Sequence, residues 1–426
     1  MTTTWRPLLE GRAAARADDA VTGILAALEQ PPRASDRDDV DDVQQRIDEL
    51  SLARGRAGYA LLLGSKALLD DDRDTEARCA ALLGEAIDGL ATVPMGPSLF
   101  MGFSGVAWVA DVLDRALFRS REDPNEAIDE ALVALLESGD VRGFDLISGL
   151  VGLGVYLLQR LPRPAAVAGL QRIVELLRLR GRGAPDGVSW FVAAEELPAG
   201  TREVFRKGYF NLGMAHGCAG VIALTAGVVR NGVAVAGARE LLDEAVSWLL
   251  ARETRDAEDS VFPAVIGPDG RADPGRTAWC YGDPGVAAAL ALAASATGER
   301  TWRAEAHRIA LGVARRPEQR CGVRDACLCH GSAGLAHILN RLAVELEDEE
   351  LADAARKWFD RTLDMRAPGT GVGGFRTYRA GRDADARWID HPGLLAGSTG
   401  IALALLSAIR DDPPVWDGAL LLSHPA

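Results

Sequence analysis

The sequence of 426 residues lacks the features that mark several broad classes of protein. Its longest apolar stretch, residues 286–296, is too short to span a bilayer, and no apolar secretory signal is visible at the N-terminus. Six cysteines are too few for a disulfide framework at this length, and no basic stripe suited to nucleic acid occurs. A carbohydrate hydrolase would need paired carboxylates and aromatic side chains that stack on sugars. Aromatic residues make up only 6% of this sequence, which disfavours that function. We therefore expect a soluble, cytoplasmic protein that binds no nucleic acid.

The charge and the cysteines are unevenly distributed. The net charge is −14, and acidic residues concentrate in 18–49 and 70–76, which is typical of solvated surfaces. Four of the six cysteines, namely Cys280, Cys321, Cys327 and Cys329, lie within about fifty residues. In a reducing compartment, such clustering indicates metal binding or catalysis rather than cross-linking.

A Gly-x-x-Gly pattern followed by small or aliphatic residues occurs seven times. The first glycines are Gly55, Gly102, Gly149, Gly217, Gly282, Gly331 and Gly397. The segment after each pair, such as 401–406, is apolar on every side and therefore predicts a buried inner helix. Between the pairs lie amphipathic outer helices, in which apolar residues recur at positions i, i+3 and i+4, as in 351–363 and 241–249. One unit of about 47 residues thus contains one inner and one outer helix.

These repeats predict an all-α protein, an α/α toroid of seven helical hairpins, since an open solenoid needs polar capping repeats that are not evident here. We expect residues 1–50 to form an N-terminal helical segment packing on the ring and residues 51–426 to form one toroid domain. Three intervals exceed the unit, which predicts insertions at about 177–210, 256–277 and 367–392, all at one mouth of the ring. Strand signals are confined to 188–192 and 375–378.

The two residues before each first glycine occupy equivalent positions of the ring. Reactive side chains gather there in repeats four to six, which carry Ala215-His216, Cys280-Tyr281 and Cys329-His330. Cys280, Cys329 and His330 suit zinc, and three protein ligands leave a fourth position for water or substrate. Cys321 and Cys327 are rival ligands, and a closed structural Cys₄ or Cys₃His site is the competing interpretation.

His216 lies in phase with His330 and, as an imidazole near the metal, suits general acid or base catalysis. Asp145 precedes Gly149 by four residues and is a candidate to orient the imidazole of His216. Arg276 and Tyr281 flank Cys280 and are candidates to stabilise developing negative charge, although a structural ion pair explains the spacing of Arg276 equally well.

The chain resembles the lanthionine synthetase C-like family over roughly residues 50 to 410. The motifs that carry the resemblance are Trp279-Cys280-Tyr281-Gly282, Cys329-His330-Gly331 and Ala215-His216-Gly217, in the family's order. The resemblance implies a seven-repeat toroid with zinc held by Cys280, Cys329 and His330. It also raises His216 and Asp145 to catalytic candidates and assigns Arg276 and Tyr281 active-site roles.

The resemblance further implies a lanthipeptide cyclase that uses one zinc ion per chain. Such an enzyme adds cysteine thiols of a dehydrated precursor peptide to dehydroalanine or dehydrobutyrine, forming lanthionine or methyllanthionine rings, as in lantibiotic biosynthesis. Because only about fifty residues precede the first repeat, we expect a stand-alone cyclase partnered by a separate dehydratase, with membrane association only through a complex. The alternatives are a prenyltransferase-like zinc thiol alkylator and a non-catalytic peptide-binding scaffold with structural zinc.

Overall fold

The computed structural model describes residues 5–31, 41–197, 199–254, 260–379 and 387–425. Its α-helices are α1 (Gly11–Ala27), α2 (Asp42–Leu50), α3 (Arg56–Asp70), α4 (Arg73–Leu90), α5 (Phe103–Leu113), α6 (Glu126–Ser138), α7 (Leu150–Gln159), α8 (Pro164–Arg180), α9 (Ala199–Val204), α10 (Cys218–Arg230), α11 (Val235–Leu250), α12 (Asp283–Thr297), α13 (Arg300–Ala314), α14 (Ser332–Leu346), α15 (Glu349–Asp364) and α16 (Ser398–Ile409). A π-helix spans Asp114–Phe118, and 3-10 helices span Ala194–Glu196, Glu318–Arg320 and Trp416–Leu420. Parts of four predicted segments lie outside the described residues: 1–4 and 32–40 of the N-terminal segment, 198 of the first insertion, 256–259 of the second and 380–386 of the third.

Strands are few and short. They are β1 (Arg182–Ala184), β2 (Gly187–Ser189), β3 (Phe191–Val192), β4 (Tyr209–Asn211), β5 (Val265–Ile266), β6 (Ala272–Asp273), β7 (Thr377–Arg379) and β8 (Arg387–Ile389). They form two antiparallel pairs, β1–β2 and β7–β8, and one four-stranded antiparallel sheet in the order β3–β4–β5–β6. Both strand signals in the sequence, near 188–192 and 375–378, therefore correspond to strands.

Each Gly-x-x-Gly pattern marks the beginning of an inner helix. The first glycine of every pattern is the residue immediately before the helix, and this holds for α3, α5, α7, α10, α12, α14 and α16. The chain folds back tightly just before these helices, so that a Cβ at Gly282 would overlap the carbonyl oxygen of Arg276. Gly282 also has a φ of 129°, a conformation that only glycine adopts easily. Glycine is therefore required at this position for the tight turn that precedes α12.

Burial separates the inner helices from the outer ones. In α12 every residue from Asp283 to Ala294 is buried, as expected for a helix without a polar face. In α15 the buried residues include Leu351, Ala355, Trp358 and Phe359, which is the apolar face that the sequence predicted. Although the inner helices are apolar, no helix within the described ranges is both long and apolar enough to cross a bilayer.

Residues 1–128 and 323–417 form one compact unit, called unit 1. Within it the inner helices α14, α16, α3 and α5 are successive neighbours, so the last inner helix packs on the first. Backbone hydrogen bonds join the turns before these helices, since Leu394 N donates to Ala53 O (2.8 Å) and Ala53 N donates to Phe100 O (2.9 Å). Helix α1 packs on α16 and takes the place of its outer partner. The first and last repeats are thus continuous within this unit.

Residues 129–322 and 418–426 form the second compact unit, called unit 2. Here α7, α10 and α12 are successive neighbours, and α8, α11 and α13 are their respective outer partners. The turns before the inner helices are again hydrogen-bonded, from Leu146 N to Ala215 O (3.1 Å) and from Ala215 N to Cys280 O (3.4 Å). Equivalent positions of successive repeats therefore lie side by side, as the repeat pattern predicted.

Candidate active site and metal ligands

Asp145 and His216 meet in unit 2, in the turns before α7 and α10. The Nδ1 atom of His216 lies 2.5 Å from Oδ2 of Asp145. The other oxygen of Asp145, Oδ1, accepts hydrogen bonds from the backbone N (2.8 Å) and the Oγ (3.0 Å) of Ser148. The carboxylate of Asp145 is 16% exposed and the imidazole of His216 is 38% exposed. Asp145 is therefore held firmly, whereas the histidine remains accessible to a ligand.

The charge state of Asp145 determines which nitrogen of His216 carries hydrogen. Burial raises the pKa of the Asp145 carboxyl, but the hydrogen bonds and charge of His216 and the hydrogen bonds of Ser148 outweigh it, so this pKa is lowered. An ionised carboxylate only accepts hydrogen bonds, so Nδ1 of His216 is the donor. Consequently Nε2 is the nitrogen that can exchange a proton with a substrate.

The turn before α12 carries Cys280 and Tyr281 and lies beside His216. The ring of Tyr281 stacks on that of His216, with centroids 6.1 Å apart and planes 21° from parallel. Cys280 is only 6% exposed, and its carbonyl oxygen accepts the hydrogen bond from Ala215 N. Arg276 is exposed, and its backbone N donates to Tyr281 O (3.1 Å), which closes the turn. His216, Cys280 and Tyr281 are thus brought together, with the Arg276 side chain in solvent.

A buried ionic network that the sequence did not reveal holds this turn. Asp283 is fully buried and accepts hydrogen bonds from Ser260 Oγ (3.0 Å) and Arg316 Nη2 (2.6 Å). Arg316 Nη1 also donates to Thr277 Oγ1 at 2.7 Å. Asp283 is the acidic residue directly after the first glycine of repeat five, and this position was the only local signal. The network fixes both ends of the 277–283 turn and thereby the backbone of Cys280.

Cys329 and His330 lie in unit 1, in the turn before α14. Both are half-buried, and Cys329 N donates to Leu395 O at 2.8 Å. The same turn carries Asp325 and Cys327, both buried, and the ligand atoms of Asp325, Cys327 and His330 lie within 4.8 Å of one another. Cys327 therefore remains the rival ligand that the sequence indicated, and Asp325 is an additional donor that sequence reasoning missed.

The predicted zinc triad is divided between the units, since Cys280 belongs to unit 2 whereas Cys329 and His330 belong to unit 1. Thiolate and imidazole are donors that zinc prefers, so the chemistry of this set fits the ion. The described residues also include cysteine and histidine side chains grouped closely enough to hold a metal ion. Which of them bind zinc stays a prediction.

The remaining cysteines have packing roles. All six cysteines lie among the described residues and none of them forms a disulfide. The thiol of Cys321 lies 3.5 Å from Pro317 O, and burial raises its pKa. Burial likewise raises the pKa of Cys218 to about 12, so this thiol stays protonated beside His216. Among the described residues, neither thiol belongs to a group of three or more side chains close enough together to hold a metal ion.

Comparison with known proteins agrees with the fold and the motifs. The family model described as "Lanthionine synthetase C-like protein" matches residues 46–421. Among solved structures, nisin cyclase superposes with a TM-score of 0.76 and 20% identity, covering 95% of this chain and 97% of its own. An unsaturated glucuronyl hydrolase specific for heparin superposes at a TM-score of only 0.44 with 11% identity, covering 93% of this chain and 95% of its own. We infer nothing about this chain from so low a score. The curated proteins contain no match to this sequence.

The likeness to nisin cyclase confirms the predicted all-α toroid fold, and at 20% identity it is evidence of fold alone. The family match covers far more than half of the chain and confirms the prediction of a lanthionine synthetase type of enzyme. The chain belongs to the lanthionine synthetase C-like family.

Proposed function

We propose that this protein is a zinc-dependent lanthipeptide cyclase that adds peptide cysteine thiols to dehydroalanine and dehydrobutyrine residues, forming lanthionine and methyllanthionine rings. The observation that carries the proposal is the hydrogen-bonded pair of Asp145 and His216. This pair lies in turns that are joined by a backbone hydrogen bond to the turn of Cys280. In this proposal, the pair supplies an accessible acid–base group beside a predicted metal ligand.

The nucleophile in this reaction is a thiolate. A free thiol has a pKa of ~8.5, so only a few per cent is ionised at neutral pH. Cys280, Cys329 and His330 would hold one zinc ion, which when bound would supply the charge that keeps a substrate sulfur deprotonated. The protein side chains then have to orient the acceptor and deliver a proton.

His216 supplies that proton in our proposal. The sulfur lone pair forms the C–S bond at the β-carbon of the dehydroamino acid, and the π electrons move toward the carbonyl oxygen as an enolate. Protonated His216 donates from Nε2 to the α-carbon, while Asp145 accepts from Nδ1 and stabilises the imidazolium. The proton lost from the substrate thiol balances the proton gained at carbon, so the product has the mass of the substrate.

Arg276 and Tyr281 support the same step. The exposed guanidinium of Arg276 can reach a bound peptide and stabilise the enolate oxygen. The stacked ring of Tyr281 restricts the orientation of the His216 imidazole. We further propose that the precursor peptide is dehydrated by a separate dehydratase, that the cyclase works in the cytoplasm, and that it meets membranes only through a complex.

The test is a thiol count, because cyclisation leaves the mass unchanged. Zinc-loaded protein is incubated with a dehydrated peptide, and the remaining thiols are alkylated and counted by mass spectrometry. We expect wild type and His307→Asn, a control on the outer helix α13, to consume thiols, and His216→Asn to stall. If His216→Asn consumed thiols at the wild-type rate, His216 would not be the proton donor. If wild type consumed thiols no faster than the peptide does alone, a peptide-binding scaffold would explain the protein better than a cyclase.

A further inference from the structure

The β7–β8 hairpin of unit 1 presents an aromatic pair. Tyr378 and Trp388 are direct partners in the antiparallel register, so their side chains lie on the same face of the hairpin. Their rings meet edge to face, with centroids 5.5 Å apart. Trp388 is 45% exposed, which is unusual for so large an apolar side chain. The hairpin therefore presents much of the Trp388 indole to solvent, with the Tyr378 ring packed against it.

This hairpin is anchored at its base. Thr377 Oγ1 donates to Ala396 O at 2.5 Å, in the turn before α16. Arg376 Nη2 donates to Trp388 O at 2.6 Å and ties the two strands together. The guanidinium of Arg324 lies 4.8 Å from the centre of the Tyr378 ring, and its Nη1 donates to Tyr378 OH at 2.6 Å. The aromatic pair is held in place before any ligand arrives.

Asp325 connects the hairpin to the turn of Cys329 and His330. It is 3% exposed, its Oδ2 accepts from Tyr378 N (2.8 Å) and its Oδ1 accepts from Cys327 N (3.1 Å). Its backbone carbonyl accepts from Ser332 N at 3.0 Å, at the start of α14. The buried carboxylate of Asp325 thus links strand β7 to the beginning of the turn that carries two predicted zinc ligands, and the backbone carbonyl of the same residue binds the end of that turn.

We propose that the face formed by Tyr378 and Trp388 binds the dehydroamino-acid segment of the substrate peptide, and that Asp325 is the positioning residue that sets this face relative to the Cys329–His330 turn. The identity of the ligand rests on the proposed function. In dehydroalanine and dehydrobutyrine the C=C bond is conjugated with the carbonyl group, which makes these residues flat and weakly polar. A flat conjugated group stacks well on an exposed indole, whereas the serine or threonine from which it derives does not.

Binding can be measured without turnover. The probe is a fluorescent dehydrated peptide whose cysteines are replaced by alanine, compared by anisotropy with the same peptide before dehydration. We expect Trp388→Ala to weaken binding of the dehydrated peptide about tenfold, to remove the preference for it, and to be rescued by Trp388→Phe. Trp302→Ala, on the outer helix α13, is the control and should bind as wild type. Unchanged affinity in Trp388→Ala, or an equal loss for both peptides, would overturn the proposal.

The role of Asp325 has a separate readout in zinc affinity, measured by competition with a chromogenic chelator. Asp325→Asn is expected to weaken zinc binding about 10- to 100-fold, as loss of a group that orients metal ligands does, and to weaken peptide binding as well. Thr377→Val detaches the hairpin from Ala396 without touching the turn of Asp325, and should weaken peptide binding alone. If natively folded Asp325→Asn bound zinc and peptide as wild type does, the positioning role would be wrong. It would also be wrong if Thr377→Val bound the peptide as tightly as wild type does.

The two proposals fail in different ways. Wild-type protein that binds the dehydrated peptide but never consumes thiols would refute the cyclase while leaving the binding face intact. Wild-type protein that consumes thiols, with Trp388→Ala binding and reacting equally well, would refute the binding face alone.

Discussion

The hydrogen bond between Asp145 and His216 permits a quantitative test of how the two residues act together. If Asp145 works only by orienting His216 and stabilising its protonated form, Asp145→Asn should slow thiol addition in the wild-type background and have no further effect in His216→Asn. At pH 7 the carboxylate is fully charged, because its pKa lies below the ordinary 3.8. Its electrostatic contribution is lost only as the pH falls through that lowered value, so a neutral assay measures all of it.

The size of each effect follows from the contact. A hydrogen bond to a charged group contributes about 1.5–3 kcal/mol, and each 1.36 kcal/mol in the barrier is about tenfold in rate. Since His216 is 38% exposed and partly screened, we expect the lower half of the resulting range, a loss of about 10- to 40-fold in kcat for Asp145→Asn. Removing the acid itself in His216→Asn should cost about 10²- to 10⁴-fold. The double variant should match His216→Asn.

The assay follows thiol loss over time by alkylation and mass spectrometry at saturating peptide. Asp140→Asn is the control, since Asp140 is an exposed carboxylate five residues from Asp145 and its Oδ2 accepts a hydrogen bond from the neighbouring Ser138 Oγ. It should react at the wild-type rate. If Asp145→Asn slowed the His216→Asn protein by its full factor, the two residues would act independently and the orienting role would be refuted.

Three further predictions concern metal, backbone and pH. Cys280→Ala should retain less than one zinc per chain after dialysis, measured by inductively coupled plasma mass spectrometry. The control Cys79→Ala removes a buried thiol between α3 and α4 and should retain one zinc per chain. Equal zinc contents in the two variants would contradict the ligand assignment. In chemical denaturation, Gly282→Ala should lower the free energy of unfolding by more than Gly298→Ala does. Both glycines have a positive φ, which costs another residue about 1–3 kcal/mol, but only at position 282 would the added Cβ also overlap the backbone. A smaller loss of stability at position 282 than at 298 would contradict this reasoning. Burial lowers the pKa of His424 from 6.5 to about 4, so protons bind the unfolded chain first and stability falls as the pH drops from 6.5 toward 4. His424→Gln should therefore lose less stability than wild type between pH 7 and pH 4.5. If the free energy of unfolding fell equally in the two proteins over this range, His424 would not be the source of the pH dependence.

The helical repeat was predictable because its signals are local. Glycine spacing locates the beginning of each inner helix, and apolar periodicity identifies the buried face of α15, both within one or two turns of helix. The equivalence of positions in successive repeats then placed His216 beside Cys280 without any knowledge of the fold.

The features that the sequence did not reveal depend on distant partners. Asp283 pairs with Arg316, 33 residues away, and Asp325 binds Tyr378, 53 residues away. No local spacing distinguishes these carboxylates from exposed ones, and the packing of α1 on α16 joins opposite ends of the chain. The positive φ of Gly282 could not be predicted either. All seven patterns begin with the same residue type, yet the other six first glycines have an extended backbone.

In the proposed mechanism, a zinc ion with three protein ligands keeps one position for the substrate thiol. X-ray absorption at the zinc edge tests it directly, by counting sulfur neighbours in the loaded protein before and after a cysteine-containing dehydrated peptide is added. We expect two sulfur neighbours and one imidazole nitrogen before the peptide is added, and a third sulfur neighbour after it. Four protein donors from the outset, with no change when the peptide binds, would contradict the claim.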